Sequence, residues 1–425
     1  MNPAIARAGS LPRLAWRYLW SRPLTSALNL LLLTLGLAAV TLVLLVATQV
    51  DRGFERDVQG IDLVVGAKGS PLQLILAGVF HIDVPPGNIA LEDFDTLRRN
   101  PLVAQTIPIS LGDSFAGHRI VGTTHEYPAH YGAELAAGQL WNAPMEAVLG
   151  ATVADAMQRA ARGPGGDGHP AGGAQGLLGR TFFGTHGLAP GGEEHGGHPY
   201  RVTGVLAPCG CVLDRLVLTA TESVWQVHES AQADDPEDLA VLRQEREITL
   251  ALVRWRSPLA AVTLPRAINT TTPLQAAVPA VEITRLARLL GVGADVLRAF
   301  GGVLLGVAAL SVFIALWNAV RERRADLAML RMLGAPPARV GGLLLFEALW
   351  LALLASLLGL AVGHLLAEGV GRLLAAQNAM PVTGALWLPG EWAVPGLAVG
   401  LALIAALLPA IQAYRVDVAE LLGRP

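Results

Sequence analysis

The sequence predicts a membrane protein: an α-helical four-span transmembrane domain, one span plus three, with a large α+β extracytoplasmic domain inserted between spans 1 and 2. Three observations predict it. Hydrophobic residues make up 52% of the 425 and charged residues only 15%, against about 25% charged in an average soluble chain. The mean hydropathy is +0.47, so a soluble fold would lack the charge to cover its surface. The apolar residues fall in four long runs, and the longest stretch between two of them is acidic. A net charge of −3 and two cysteines exclude a basic nucleic-acid binder and a disulfide scaffold.

Residues 1–22 hold Arg7, Arg13, Arg17 and Arg22 and no acid. Within them Leu11, Leu14, Ala15, Tyr18 and Leu19 recur at helical spacing, with Trp16 and Trp20 suited to the headgroup zone. This reads as an amphipathic helix lying on the membrane surface before the chain turns at Pro23. Residues 24–50 carry no formal charge and exceed the roughly 20 residues needed to cross a bilayer. They are too long for the apolar region of a signal peptide, so they read as a retained first span. Residues 51–298 contain 27 acids against 19 Lys or Arg, a net −8. Strand-like stretches lie at 102–110, 118–123, 200–206, 215–219 and 248–254, and helical ones at 91–99 and 151–162. Residues 281–300 read as a helical stalk running into the second span. Residues 163–197 form a Gly- and His-rich insertion of low complexity.

Spans 2, 3 and 4 cover 299–320, 340–367 and 392–414. The loop 321–339 between spans 2 and 3 holds five arginines against Glu322 and Asp326. By the positive-inside rule this loop, the N-terminus and the tail 415–425 are cytoplasmic, and 51–298 lies on the far side. Glu347 and His364 are ionisable groups inside span 3. They are about 25 Å apart along a helix at 1.5 Å per residue, so they cannot form one relay. Glu347 is expected to pair within the arginine-rich loop, and His364 to face the outer headgroups.

The loop is the most specific stretch of the chain. It reads as a short helix stopped by Gly334 and followed by a Pro-Pro turn. Leu327, Leu330, Arg331 and Gly334 share helical spacing, so one apolar edge can dock on a partner; the alternative is a basic loop without one. Asp326-Leu-Ala-Met-Leu-Arg-Met-Leu-Gly-Ala335 resembles the "E-i-x-x-l-R-x-l-G-A" stretch of FtsX-like, MacB-like (type VII) ABC transporter permeases, with Asp326 in place of the usual Glu. Residues 409–422 resemble the same family's "P-x-x-x-A-x-r-x-d-p-a-e-x-L" ending, with Val418 where Pro is common. The resemblance implies a homodimeric permease of the bacterial inner membrane whose cytoplasmic helices dock on an ABC ATPase subunit. Asp326, Leu327, Leu330, Arg331, Gly334 and Ala335 would then couple the two. ATP and Mg would sit on that partner, with no cofactor in this chain. The outer domain would move as ATP is consumed and would engage a periplasmic adaptor or carrier protein.

No G-x-x-x-x-G-K-[ST] occurs, so the chain itself is not expected to be the ATPase. Gly66–Ser70 reads instead as a tight turn after a strand at 61–65. Gly112-Asp113-Ser114 is similar to an esterase nucleophile block, but no Asp has His three residues later, and G-x-S-x-G and H-E-x-x-H are absent. It reads as a turn between strands. Nine of ten histidines lie in the outer domain. His169, His186, His195 and His198, with Glu193 and Glu194, are zinc or copper ligand types in a flexible segment. They read either as a solvated loop or as a weak metal site. Cys209 and Cys211 leave three readings open: a strained or reversible disulfide, free thiols, or metal ligands. Three outputs fit this organisation: extraction of a lipid-anchored protein, efflux of a small molecule or peptide, and activation of an envelope hydrolase without transport.

Overall fold

The computed structural model describes residues 11–21, 23–162, 173–187, 197–232, 241–322, 329, 331–376 and 382–414. The chain opens with α1 (Leu11–Leu19) and α2 (Pro23–Val58). The next elements are β1 (Leu63–Ala67), α3 (Pro71–Gly78), β2 (Ile89–Ala90), α4 (Leu91–Arg98), β3 (Val103–Phe115), β4 (His118–Thr123) and α5 (Glu126–His130). They are followed by β5 (Leu135–Gly138), β6 (Glu146–Leu149), α6 (Ala151–Arg162), β7 (Thr181–Phe182), β8 (Thr185–His186) and β9 (Tyr200–Leu206). After a 3-10 turn at Val212–Arg215 come β10 (Val217–Ala220), α7 (Thr221–Gln232), β11 (Glu247–Ile248), β12 (Leu250–Trp255), α8 (Pro258–Thr271) and β13 (Leu274–Ala277). Three long helices close the chain: α9 (Pro279–Glu322), α10 (Pro337–Ala376) and α11 (Ala393–Tyr414). Two compact units result, one of residues 1–50, 290–376 and 381–425, the other of 51–289 with 377–380.

Four helices of the first unit are long and apolar enough to cross a membrane. Their shared core is rich in alanine: Ala348, Ala352 and Ala355 of α10 meet Ala398, Ala402 and Ala406 of α11. Lipid tails are as apolar as leucine, so such helices associate by close packing, which small residues permit. Ahead of them α1 buries Ala15 and Leu19. It is fastened to α10 by Trp350, whose Nε1 donates to the Pro12 carbonyl at 3.0 Å and whose ring meets Trp16 edge-on. The first membrane helix does not stop at Val50. Asp51, Arg52, Glu55 and Arg56 end the apolar run, but Arg52, Glu55 and Arg56 favour helix, and α2 continues to Val58.

The second unit is built on a mixed sheet ordered β13-β1-β12-β3-β4-β10-β6-β9-β5, with β7 on β9 and β8 on β3. The long strand β3 serves two neighbours. Its first half pairs antiparallel with β12 and its second half with β4, with a register shift between Leu111 and Ser114. Gly112–Ser114 therefore lie inside a strand at a bulge, not in a turn between strands. Helices α4 and α8 cover one part of the sheet over Leu63, Val65, Phe94 and Leu264. Helix α6 covers another over Val153, Met157, Val202 and Val217. Strand β1 ends at Ala67 rather than Val65, and Ser70 caps α3 by accepting the Gln73 N–H. The strand expected at 215–219 starts at Val217, because Val212–Arg215 are taken up by the 3-10 turn.

Candidate functional site

Of the residues assigned to ATPase coupling, Asp326, Leu327 and Leu330 lie outside the described residues. Arg331 donates from Nη1 to the Tyr414 carbonyl at 3.4 Å, which ties the segment to the end of α11. Gly334 adopts φ +92°, and its N–H bonds the Arg331 carbonyl, so the helix is stopped by a residue in the left-handed region that glycine favours. Ala335 is half-buried, and Pro337 opens α10. The exposed apolar side chains here are Met329, Met332 and Leu333, the last 83% exposed. The helical spacing that groups Leu327 with Leu330 and Arg331 leaves Met329, Met332 and Leu333 on neighbouring faces.

A cleft of about 220 Å³ opens among α1, α2, α9 and α10. Tyr18, Ser26, Asn29, Asn318, Glu322 and Glu347 line it. Glu347 is 4% exposed in the protein and faces this space. A cleft so polar and roomy can hold water, which lowers the cost of keeping a carboxylate inside an apolar layer. Asn29 and Asn318 give no signal in a hydropathy reading, since neutral amides do not interrupt an uncharged run.

His364 has several partners within the first unit. Its Nε2 lies 2.8 Å from Oε2 of Glu391, its Nδ1 bonds the Gly384 carbonyl, and its ring stacks on Trp387 at 5.5 Å. Glu391 is 0% exposed and also accepts the Leu388 N–H at 2.7 Å. In the same unit Gln49, near the end of the first span, exchanges two hydrogen bonds with the Thr383 backbone. Sequence alone does not signal this pairing, because Glu391 lies 27 residues further along the chain.

The second unit holds a buried polar cluster where α2 ends. Asp57 is 3% exposed. Its Oδ1 accepts the Val212 N–H at 2.9 Å, its Oδ2 lies 3.9 Å from Arg215 Nη2, and its carbonyl accepts the Tyr131 hydroxyl at 2.8 Å. His81, with φ +55°, sits 2.9 Å from the Tyr127 hydroxyl through Nε2. Burial, then the Arg119 and Arg215 guanidiniums, hold its pKa well below the ordinary 6.5, so the ring is neutral. Burial likewise pushes the Tyr127 hydroxyl up and keeps it a hydrogen-bond donor. None of these residues stood out in the sequence, because single polar residues scattered over 160 positions form no motif.

The metal reading loses two ligands. Cys209 and Cys211 are bonded to each other, so neither offers a thiolate. His169, Glu193, Glu194 and His195 lie outside the described residues. His186 sits in β8 opposite Asp113, and His198 precedes β9. Among the described residues no three His, Cys, Asp or Glu side chains are grouped to hold a metal.

Residues 26–273 match the family model described as MacB-like periplasmic core domain, and residues 298–418 the one described as FtsX-like permease C-terminal. No curated protein sequence matches the chain. Two solved structures are similar to part of it. The periplasmic region of MacB from Actinobacillus actinomycetemcomitans is 13% identical, with 54% of this chain and 95% of that one covered at a TM-score of 0.31. The extracellular domain of the noncanonic ABC-type transporter YknZ from Gram-positive bacteria is 13% identical, with 50% and 98% covered at a TM-score of 0.29. Likeness at that level adds no argument, and the assignment rests on the two family models, the first of which spans more than half of the chain. With four apolar helices placed one plus three around an α+β domain, the chain belongs to the MacB/FtsX-like family of ABC transporter permeases.

Proposed function

We propose that the chain is the membrane subunit of an ABC complex in the bacterial inner membrane, with both termini cytoplasmic, and that it passes ATP-driven motion from a separate ATPase to its outer domain. The observation that carries this reading is continuity. Helices α2 and α9 run unbroken for 36 and 44 residues, each beginning or ending in an apolar run and reaching into the sequence of the outer domain. An unbroken helix is a suitable element for carrying displacement from one end to the other. Transport follows as export, extraction or efflux, with the Gly- and His-rich insertion as a metal-linked element. Homodimer formation is supported by Gly302 and Gly306 on α9, one turn apart, whose open sides meet nothing within 4 Å. A second helix can approach closely there; Gly396 and Gly400 on α11 offer the same spacing and openness.

The test is copurification in detergent from cells that also express the ATPase. The ATPase should remain bound, and its turnover should respond to the permease. Leu330→Asp and Leu333→Asp should each remove that response while the permease still folds, since apolar anchors of an interface are worth about 2 kcal/mol or more. An ATPase that copurifies equally and responds equally with both variants would overturn the coupling role. A lipoprotein carrier, an adaptor or a cell-wall hydrolase in the same preparation would distinguish extraction, efflux and regulation.

A further inference from the structure

We propose that Cys209-Gly210-Cys211 is a reversible thiol–disulfide site, attacked at Cys209 by a protein dithiol, whose oxidised form locks its loop against the end of α2. This assignment is independent of the transport reading.

The two cysteines are separated by one residue. A disulfide stabilises chiefly by closing a long loop in the unfolded chain, and a loop this short yields the least. The segment is also held without it. Asp214 accepts the Cys209 N–H at 2.9 Å and the Gly210 N–H at 2.7 Å, and its own N–H bonds the Cys211 carbonyl. Val212 and Leu213 are buried in the core, and Val212 donates to Asp57. As a staple the bond adds little, so after reduction the segment stays folded while its hold on the end of α2 weakens. That combination suits a bond that opens and closes.

The two sulfurs are not equivalent. Cys209 is half-buried between exposed Pro208 and exposed Gly210, whereas Cys211 is buried. A thiolate from outside therefore reaches Cys209 Sγ first. Acceptors and donors for the reduced pair are in place. Asp214 Oδ1 lies 3.4 Å from Cys209 Sγ, where it can accept from a thiol, and the Cys211 N–H points at the same sulfur from 3.1 Å. The exchange balances as follows. The donor's thiolate bonds Cys209 Sγ, the Cys209–Cys211 bond breaks, and its electron pair leaves on Cys211 Sγ, which takes a proton. The donor's second thiol, deprotonated, then attacks the donor sulfur of the mixed disulfide. Cys209 leaves as thiolate and is protonated beside Asp214. Two electrons and two protons pass from the dithiol, which ends as a disulfide.

The lock follows from what the loop touches. The Arg56 guanidinium donates to the Gly210 carbonyl, and Asp57 accepts from Val212. Gly210 has φ +65°, and a Cβ there would stand 2.6 Å from Arg56 Nη1, so only glycine allows both the bend and the contact. The disulfide holds the residues on either side of Gly210 in that bend. Opening it loosens the grip of the loop on the last turn of α2.

These two are the only cysteines of the chain, so every thiol that appears in the full-length protein is one of them. The protein in detergent should be equilibrated with glutathione mixtures from fully oxidised to fully reduced, trapped with a maleimide and weighed. The pair should pass from oxidised to reduced within that series, and a catalytic amount of thioredoxin should speed the change about tenfold or more. A pair that stays oxidised throughout overturns the proposal, and this measurement needs no variant. Cys211→Ser, which leaves Cys209, should react with oxidised glutathione about tenfold faster or more than Cys209→Ser. Equal or reversed rates overturn the choice of sulfur. Hydrogen exchange at the Val212 amide should accelerate about tenfold on reduction, and an unchanged rate overturns the lock.

Discussion

Replacing Asp57 with alanine should loosen the outer domain from its centre. Two losses follow from the geometry. The buried Val212 N–H loses its acceptor, which costs about 1–3 kcal/mol. Arg215, 9% exposed at its side chain, loses its carboxylate. Removing one member of a buried pair costs about 3–5 kcal/mol because the other charge is stranded. The pair is 3.9 Å apart, at the long end of the range, so the lower figure applies, and the two losses overlap in one site. We expect about 3 kcal/mol in all, or roughly a 100-fold rise in opening. Native-state hydrogen exchange reads this directly at β10, whose four residues are all buried. Asp57→Asn, which keeps an acceptor, should lose less. Asp57→Ala/Arg215→Met should recover most of the loss, since no charge is then stranded. If the single variant exchanges within about tenfold of the parent, or the double variant is as open as the single, the reasoning about a stranded guanidinium is wrong.

Acid should act on the same region. His81 is held below its ordinary pKa of 6.5 in the folded state, so its contribution is complete above that value and is lost as pH falls. By pH 5 its protonation should cost up to about 2 kcal/mol, offset in part by Asp57, whose carboxyl burial raises to about 6 so that it takes up its proton more readily in the folded state; the His81 share is read as the difference in β4 and β10 exchange between parent and variant. His81→Asn, which does not titrate and tolerates a positive φ, should flatten that dependence. Gly302→Leu/Gly306→Leu should shift the protein from dimer to monomer in detergent if α9 forms the contact; an unchanged dimer moves attention to Gly396 and Gly400. Zinc calorimetry on the full chain at neutral pH should show weak binding that falls in His195→Ala/His198→Ala, and equal binding by parent and variant returns the histidines to a solvated loop. An impermeant reagent should label a cysteine placed in 163–197, in the double Cys→Ser background, on cells with a permeable outer membrane; labelling only after lysis inverts the topology.

The four spans, the helix at 11–19 and the α+β domain were legible because each rests on a repeat of one residue class. Leu11 to Leu19 show a 3.6 period, the spans are long apolar runs interrupted in span 3 by Glu347 and His364, and 200–206 alternates in the manner of a strand. What was not legible depended on partners distant in the chain. Asp57 finds Val212 and Arg215 across more than 150 residues, and His364 finds Glu391 only because the chain folds back after α10. The bulge at Gly112–Ser114 was missed for a related reason: a glycine followed by an Asp and a Ser has the composition of a turn, but β4, β8 and β12 together supply enough pairing to hold it in a strand. The helix runs on past the expected span to Val58, because charge marks where lipid stops and not where helix stops.

That last point bears on mechanism. The final turn of a helix has carbonyls with no partner inside the helix, and it is ordinarily the part that frays. Here the Arg56 and Val58 carbonyls accept the backbone N–H groups of Gln59 and Ile61, and the Asp57 carbonyl is taken by a side chain of another element. Tyr131 donates its hydroxyl to the Asp57 carbonyl, and the His130 ring nitrogen meets the Gln59 carbonyl at 2.9 Å just beyond the helix. Asp57 and Arg56 reach in turn to Val212 and Gly210. The end of α2 is thus tied to α5 and to the 3-10 turn that leads into β10, a central strand of the sheet. A displacement of α2 along its axis has no slack turn in which to dissipate before it reaches that strand. On the proposed reading, variants that cut these ties, Tyr131→Phe foremost, should leave the ATPase bound and responsive to the permease yet weaken whatever the outer domain delivers. A Tyr131→Phe permease that is fully active would show that the motion enters the domain elsewhere.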